Sequence, residues 1–320
     1  MSDRREKPTD KTTLISTTVS RVVTRFARTI NISPLLPPFA RGTARYFLTP
    51  LFYHQSLRLT TLLYQNCFLY YFVGYSIIKD GDGMKKYKLI MTDLDNTLLP
   101  VITQDKFVQI WFTDVAKKFY DYGLNQAIAL NAINEGCRAM ILNNGKRRND
   151  EVFYRTAVRI SGYSREKLEE VLMDYYATTF ENVRSIIEVN HFAPKIVKLI
   201  RERAQYIAVA TMPLFPLAAC DTRMRWTGIS ADMFDLVTSF DQSSYAKPNP
   251  MYFQEILDRF QVKPEEALMI GNDVREDMIP CQSLGIDVFL VTNHMITHDL
   301  DYSRFTHGTY EELIEYLKSV

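Results

Sequence analysis

Apolar residues in the C-terminal two thirds of the chain occur in short unbroken runs and in spaced patterns. Continuous runs rich in β-branched residues are typical of strands that are buried on both faces, and five of them stand at 88–92, 207–211, 234–238, 268–273 and 288–292. Stretches with helical spacing separate them. Strands that alternate with helices predict an α/β fold with a parallel sheet covered on both faces.

The first two of these runs are more than a hundred residues apart, which is too far for one crossover connection. Amphipathic stretches at 104–122, 125–142, 148–161 and 164–183 predict a helical insertion between them. In the last stretch four apolar residues share one helix face: Leu168, Val171, Leu172 and Tyr175.

Two aspartates follow the first run, in the sequence Asp-Leu-Asp-Asn-Thr. Asp93 and Asp95 are two residues apart, so on an extended segment both side chains would point the same way. Two carboxylates this close need a cation, and carboxylate oxygens favour Mg²⁺. An aspartate can also attack phosphorus and form an aspartyl-phosphate.

Further reactive side chains stand at the ends of the other elements. Thr211 ends the second run, and Lys247 precedes Asn249, which is expected to cap a helix that begins at Pro250. Asp273 and Asp277 follow the fourth run. Each residue alone has an ordinary explanation as a turn residue, a surface charge or a partner of a helix dipole.

Taken together and in this order, the segments resemble the signature set of the haloacid dehalogenase (HAD) superfamily of phosphohydrolases. The resemblance covers about residues 85–320 and depends on six residues: Asp93, Asp95, Thr211, Lys247, Asp273 and Asp277. It implies a Rossmann-like parallel-sheet core, the HAD fold, at 84–100 and 200–320. Residues 101–199 would be an inserted α-helical cap that closes over the site and selects the substrate.

The resemblance also implies roles for the six residues. Asp93 would attack the phosphoryl group, while Asp95 would protonate the leaving oxygen and later activate the hydrolytic water. Thr211 would hold a phosphoryl oxygen, helped by backbone N–H groups at the start of the following helix. Lys247 would neutralise negative charge on the nucleophile and the phosphoryl group.

The same resemblance implies a Mg²⁺ site. Asp93, Asp273 and the backbone carbonyl of Asp95 would hold the ion, and Asp277 would complete or support that shell. Gly271 is then expected to let the backbone turn tightly beside the metal.

The predicted function is a cytoplasmic, Mg²⁺-dependent phosphatase that hydrolyses a small phosphorylated metabolite through an aspartyl-phosphate. Asp95 favours an ester over a carbon–halogen bond, because a halide leaving group needs no proton and an alkoxide does. A phosphomutase of the same superfamily and a catalytically silent HAD-fold binding protein are the alternatives. The sequence contains no nucleic-acid-binding module.

The first 83 residues differ in composition from the rest. They contain 11 Lys and Arg against 5 Asp and Glu, and residues 12–78 contain six Arg but no Asp, Glu or Lys. This leader is interpreted as a spurious or poorly ordered extension upstream of Met84, with organelle targeting or membrane attachment as alternatives. Residues 59–78 are uncharged and long enough to span a bilayer, so any membrane contact is expected only within 12–78.

Two smaller features remain. The polar run 143–148 within the insertion contains Lys146, Arg147 and Arg148, which either contact an anionic substrate or are solvated charges of a turn; the turn is favoured. Four cysteines lack metal-type spacing and predict free thiols. The histidines form no cluster, and His294 and His298 are expected to have surface or loop roles.

Overall fold

A computed structural model describes residues 87–101 and 104–320 of the chain. In this part, six parallel strands form one sheet in the order β3-β2-β1-β4-β5-β6. The strands are β1 (Tyr87–Thr92), β2 (Ala204–Val209), β3 (Leu236–Val237), β4 (Ala267–Gly271), β5 (Asp287–Val291) and β6 (Thr306–Gly308). The predicted α/β fold with a Rossmann-like parallel sheet is confirmed.

Helices lie between the strands of this sheet in the chain order. The described α-helices are α1 (Gln104–Asp121), α2 (Gln126–Ile141), α3 (Asn149–Ser161), α4 (Arg165–Thr178), α5 (Ala193–Arg203), α6 (Leu217–Trp226), α7 (Pro250–Phe260), α8 (Ile279–Leu284) and α9 (Tyr310–Ser319). Short 3₁₀ segments lie at Phe180–Ile186, Ala231–Met233 and Pro264–Glu266, and a π-helical turn covers Val274–Met278. Asn249 caps α7 as predicted, since its side chain accepts a hydrogen bond from the N–H of Met251.

Helices α1 to α4 form the predicted insertion between β1 and β2. The chain leaves and re-enters the sheet region through paired segments, because Val101 forms an antiparallel bridge with Ile187 and the N–H of Glu188 donates to the carbonyl of Pro100. The predicted boundary at residue 199 falls inside α5, a single helix that packs against α9 of the sheet region.

Aromatic side chains join the insertion to the sheet region. Phe215, in the turn after β2, has its ring 6.0 Å from that of Phe107 on α1 and 6.2 Å from those of Trp111 and Tyr176. Edge-to-face arrangements of this kind contribute about 0.5–1.5 kcal/mol per pair beyond the burial of area. The turn that follows β2 is therefore packed against the inserted helices.

The leader, residues 1–83, lies outside the described residues, as do its candidate targeting and membrane segments and Cys67. Among the described residues, no helix is long and apolar enough to cross a membrane. The three described cysteines, Cys137, Cys220 and Cys281, are buried free thiols, as predicted.

Candidate active site

The predicted site residues follow strands that are neighbours in the sheet. Beyond the ends of β1 and β2, the N–H of Ala210 donates to the carbonyl of Thr92 at 2.8 Å, and the N–H of Asp93 donates to the carbonyl of Ile270 on β4 at 2.8 Å. The strand order reverses at β1 and β4, and crevices beyond the carboxyl ends of strands at such a point are where open α/β sheets bind ligands. Asp93, Thr211 and Asp273 all follow strands at this edge.

Lys247 is the centre of the arrangement. Its side chain is only 2% exposed, and its Nζ lies 2.7 Å from Asp93 Oδ1 and 2.6 Å from Asp277 Oδ1. Burial opposes a charge on this lysine, but Asp277 and Asp93 together raise the pKa of Lys247 well above its ordinary value. Lys247 therefore carries a positive charge directly beside the predicted nucleophile.

Asp277 supports the site through both of its carboxylate oxygens. Oδ1 binds Lys247, and Oδ2 accepts a hydrogen bond from the N–H of Asp273 at 3.2 Å. Burial raises the pKa of Asp277 to about 7, an effect that Lys247 opposes. Through these two contacts Asp277 links Lys247 to Asp273.

Gly271 has a different purpose from the one expected. Its φ is not in the left-handed region, so no tight turn requires a glycine there. A Cβ at this position would instead collide with the carboxylate of Asp277. The glycine provides room for a charged side chain beneath the site.

Asp273 is held on both sides. Its Oδ1 accepts hydrogen bonds from the N–H groups of Arg275 and Glu276, each at 2.8 Å, and its Oδ2 lies 2.8 Å from Nε2 of His298. His298 lies in the loop after β5 with a left-handed φ of 52°. The loop location was predicted, but the contact with Asp273 was not, because no local pattern links residues 25 positions apart.

Asp93 and Asp95 pair with different basic side chains, although both carboxylates were expected to point the same way. β1 ends at Thr92, and the chain then enters a turn in which Asn96 has a φ of 63°. Consequently the alternation of an extended segment does not extend to Asp95. Asp93 contacts Lys247, whereas Asp95 Oδ2 accepts a hydrogen bond from Nη1 of Arg223 at 2.5 Å. Burial raises the pKa of Asp95, and Arg223 opposes that shift.

Thr211 lies at the sheet edge, but the helix after it starts later than expected. Its carbonyl accepts hydrogen bonds from the hydroxyls of Tyr252 and Thr238, at 2.7 and 3.0 Å. α6 begins only at Leu217, with Pro216 as its N-cap, so the first turn of that helix does not adjoin Thr211. Any backbone donor for a phosphoryl oxygen has to come from the turn between them.

The donors at this edge suit Mg²⁺ rather than a metal that requires a full protein cage. In the described part of the chain, no three His, Cys, Asp or Glu side chains surround a common point closely enough to hold a metal ion. Asp93 and Asp273 are hard oxygen donors that follow the adjacent strands β1 and β4. Mg²⁺ typically uses one or two carboxylates and keeps several waters, so this set fits.

The polar run 143–148 of the insertion lies beside the loop that contains Lys247. The N–H of Asn149 donates to the carbonyl of Ser243 at 2.8 Å, and the Asn149 side chain donates to the carbonyl of Tyr245 at 3.1 Å. Arg148 pairs with Asp150, and Arg147 pairs with Glu151. The two arginines are therefore engaged within their own loop and helix.

Comparison with known proteins agrees with this geometry. A family model described as haloacid dehalogenase-like hydrolase matches residues 87–293. The chain belongs to this family. Membership confirms the resemblance drawn from the sequence, and it identifies the protein as a hydrolase.

Individual relatives in the family are distant. A glyceraldehyde 3-phosphate phosphatase of Methanocaldococcus jannaschii is 25% identical over 73% of this chain and 98% of its own length. Pyrophosphatase PpaX of Bacillus cereus is 24% identical over 37% of this chain and 53% of its own length. A 2-haloacid dehalogenase structure from Pseudomonas syringae covers 72% of this chain and 98% of its own, with 18% identity and a TM-score of 0.49.

Proposed function

We propose that this HAD-family hydrolase is a Mg²⁺-dependent phosphatase that cleaves a small phosphorylated metabolite through an aspartyl-phosphate. The contact of Lys247 with Asp93, at 2.7 Å between Nζ and Oδ1, is the observation that carries the proposal. A buried cation beside a strand-end carboxylate can stabilise the negative charge of a transferring phosphoryl group. The relatives named as phosphatases support the same choice.

The first half-reaction forms a bond between a carboxylate oxygen of Asp93 and phosphorus. The bond from phosphorus to the ester oxygen breaks, and that oxygen leaves with the electron pair and takes a proton from Asp95. Lys247 neutralises charge during this step, and Thr211 binds a phosphoryl oxygen. In the second half-reaction Asp95 removes a proton from water, which attacks phosphorus and releases phosphate from Asp93.

Asp93, Asp273 and the carbonyl of Asp95 would hold the metal. Bound Mg²⁺ would orient the phosphoryl group and neutralise part of its charge. Asp277 would fix the positions of Lys247 and Asp273 through the contacts described above.

Asp95 helps to distinguish a phosphatase from other possible functions. A carbon–halogen substrate would give it no leaving oxygen to protonate, so its presence favours an ester. A phosphomutase would use the same residues but return the phosphoryl group to the substrate. A silent binding protein would have no use for a protonated lysine held against a nucleophile.

The test is hydrolysis of p-nitrophenyl phosphate with Mg²⁺, followed by a panel that includes glyceraldehyde 3-phosphate and pyrophosphate. Asp93→Asn should lower kcat by about 10⁴-fold or more, because the nucleophile is lost. Mass spectrometry after an acid quench should find one phosphoryl group on the peptide that contains Asp93. No turnover of any substrate would reject the phosphatase, and an isomerised sugar phosphate without free phosphate would indicate the mutase.

We also propose that the inserted helices act as a cap and that the protein is cytoplasmic. The paired segments at 100–101 and 187–188 support the first idea, since they are a narrow connection about which the insertion could move. Expression of residues 84–320 alone tests whether the leader, residues 1–83, is needed, because an insoluble or inactive product would make it a working part of the fold.

A further inference from the structure

Arg223 is a buried arginine that the mechanism above does not use. It lies on α6, its side chain is 1% exposed, and its Nη1 donates to Asp95 Oδ2 at 2.5 Å. Removing a guanidinium from water is costly unless it is paired and hydrogen-bonded. A charge this deep therefore needs partners at well-defined positions.

Several contacts fix the plane of this guanidinium. Its Nη2 lies 3.5 Å from Sγ of Cys220, its Nε lies 3.4 Å from the carbonyl of Ala219, and its Cζ lies 4.7 Å from the centre of the Phe215 ring. Phe215 is in turn packed among the aromatic side chains of the insertion. Arg223 is thus held by its own helix and by the turn after β2, and it presents Nη1 in one direction.

The two oxygens of Asp95 have unequal surroundings. Oδ2 accepts the hydrogen bond from Arg223, whereas Oδ1 is buried and has no hydrogen-bond partner among the described residues. Buried polar atoms normally have partners, so an exception at a predicted catalytic residue calls for a functional explanation. Among the described residues, the hydrogen bond from Arg223 is therefore the contact that orients the Asp95 carboxylate.

We propose that Arg223 is a positioning residue that binds Asp95 Oδ2 and thereby holds the Asp95 carboxylate in the orientation from which it exchanges a proton with the substrate. The inference rests on the proposed phosphatase function and adds a residue to it. Arg223 acts only through Asp95. Its contribution therefore covers the two steps in which Asp95 moves a proton, protonation of the ester oxygen and activation of the water.

The first of these steps depends on the leaving group. A poor leaving group such as the alkoxide of glycerol phosphate needs the proton, whereas the dinitrophenolate of 2,4-dinitrophenyl phosphate leaves without it. Positioned proton transfer contributes about 10²–10⁴-fold to a rate. Arg223→Met should therefore lower the rate of aspartyl-phosphate formation, measured in a single turnover, by about 30-fold or more from glycerol phosphate and by less than about 3-fold from 2,4-dinitrophenyl phosphate.

Two further variants serve as controls. Arg223→Lys keeps a donor in the same place and should recover part of the lost rate on glycerol phosphate. Arg225→Met removes an exposed arginine of the same helix, which pairs with Asp221 at 2.8 Å, and should leave both rates unchanged.

The double variant Asp95→Asn/Arg223→Met removes the unpaired charge that could prevent the single variant from folding. If Arg223 acts through Asp95, its substitution costs no further rate once Asp95 is Asn, so the two effects are not additive. Additive effects would overturn the proposal, as would equal losses on both substrates or a raised KM alone. If the unsubstituted protein hydrolyses neither ester, the phosphatase itself is rejected and this proposal with it.

Discussion

Charged side chains pair in two different ways in the sheet-edge site and in the polar run of the insertion. Lys247 is almost fully buried, and its partners Asp93 and Asp277 are 154 and 30 residues away in the sequence. Arg147 and Arg148 are 53% and 54% exposed, and they pair with Glu151 and Asp150, which are at most four residues away. The first set depends on the fold, and the second is local.

The difference in environment sets what each pair contributes. An exposed ion pair contributes about 0–1 kcal/mol to stability, because water screens it and ordering the side chains costs entropy. A buried pair loses its hydration, so removing one partner costs about 3–5 kcal/mol. In this protein, buried ion pairs between residues that are far apart in the sequence are therefore informative about function. The number of exposed charges in a loop is not.

The largest effect is expected from Lys247→Met. The change leaves Asp93 and Asp277 buried without their cation, so the free energy of unfolding should fall by about 3–5 kcal/mol, as measured by urea denaturation. kcat should fall by about 10²–10³-fold, since a charge that stabilises the transition state is lost.

Lys117→Met is the matched control for that change. Lys117 pairs with Asp121 at 2.8 Å on the exposed face of α1, and its loss should leave the free energy of unfolding nearly unchanged because water screens the pair. The double variant Lys247→Met/Asp277→Leu removes one of the unpaired carboxylates and should regain stability without regaining activity. If Lys247→Met and Lys117→Met lowered the free energy of unfolding equally, the buried and the exposed ion pairs would not differ in their contribution to stability.

Gly145→Ala should have the next largest effect, because it strains the loop where it meets the sheet region. Gly145 has a φ of 82°, and a Cβ there would collide with the hydroxyl of Tyr245. Left-handed strain of about 1 kcal/mol and overpacking of about 1–3 kcal/mol should together lower the free energy of unfolding. Urea denaturation measures the change.

Gly162→Ala separates the two contributions. Gly162 has a φ of 72°, but a Cβ at that position would meet nothing within 4 Å. Gly162→Ala should therefore lower the free energy of unfolding only by the left-handed strain, about 1 kcal/mol. If Gly145→Ala is no more destabilising than Gly162→Ala, the contact of the loop with Tyr245 is not close in solution.

His298→Ala should have a moderate effect confined to metal binding. His298 holds Oδ2 of Asp273 at 2.8 Å, and losing a hydrogen bond to a metal ligand typically weakens affinity by about 10-fold or more. Calorimetric titration with Mg²⁺ should show this weakening, and His298→Gln should restore much of the affinity because its amide can donate.

His307→Ala is the control for that measurement. Nδ1 of His307 lies 2.8 Å from the carbonyl of Phe305, and no contact with Asp273 is found. Its Mg²⁺ affinity should equal that of the unsubstituted protein. An unchanged affinity in His298→Ala would show that the backbone N–H groups of Arg275 and Glu276 suffice to orient Asp273.

The smallest effect is expected from Arg147→Ala/Arg148→Ala. Both side chains are exposed, and Asp150, the buried partner of Arg148, keeps its contact with Arg165 at 3.3 Å, so the free energy of unfolding should change little. kcat/KM on the best substrate should change by less than about 3-fold, since a solvated turn contributes no binding energy to the reaction. A loss of kcat/KM by a larger factor would instead make this run a substrate contact and weaken the distinction drawn above.

The sequence alone predicted the sheet, the helices of the insertion and the six candidate residues. It could do so because each of these features depends on residues that are close together in the chain. A buried strand is a continuous apolar run, and a residue at its end reaches the carboxyl edge of the sheet whatever the rest of the fold does. Leu168, Val171, Leu172 and Tyr175 are buried on one face of α4, as their spacing predicted.

Tertiary structure alone decided which charges meet. The pairs Arg223–Asp95 and His298–Asp273 join residues 128 and 25 positions apart, and they depend on how α6 and the loop after β5 pack against the turn at Asp95 and the end of β4. The reason is physical: a helix-forming arginine or a loop histidine has no local pattern that distinguishes a solvated side chain from a buried one. Only packing removes the water and selects the partner.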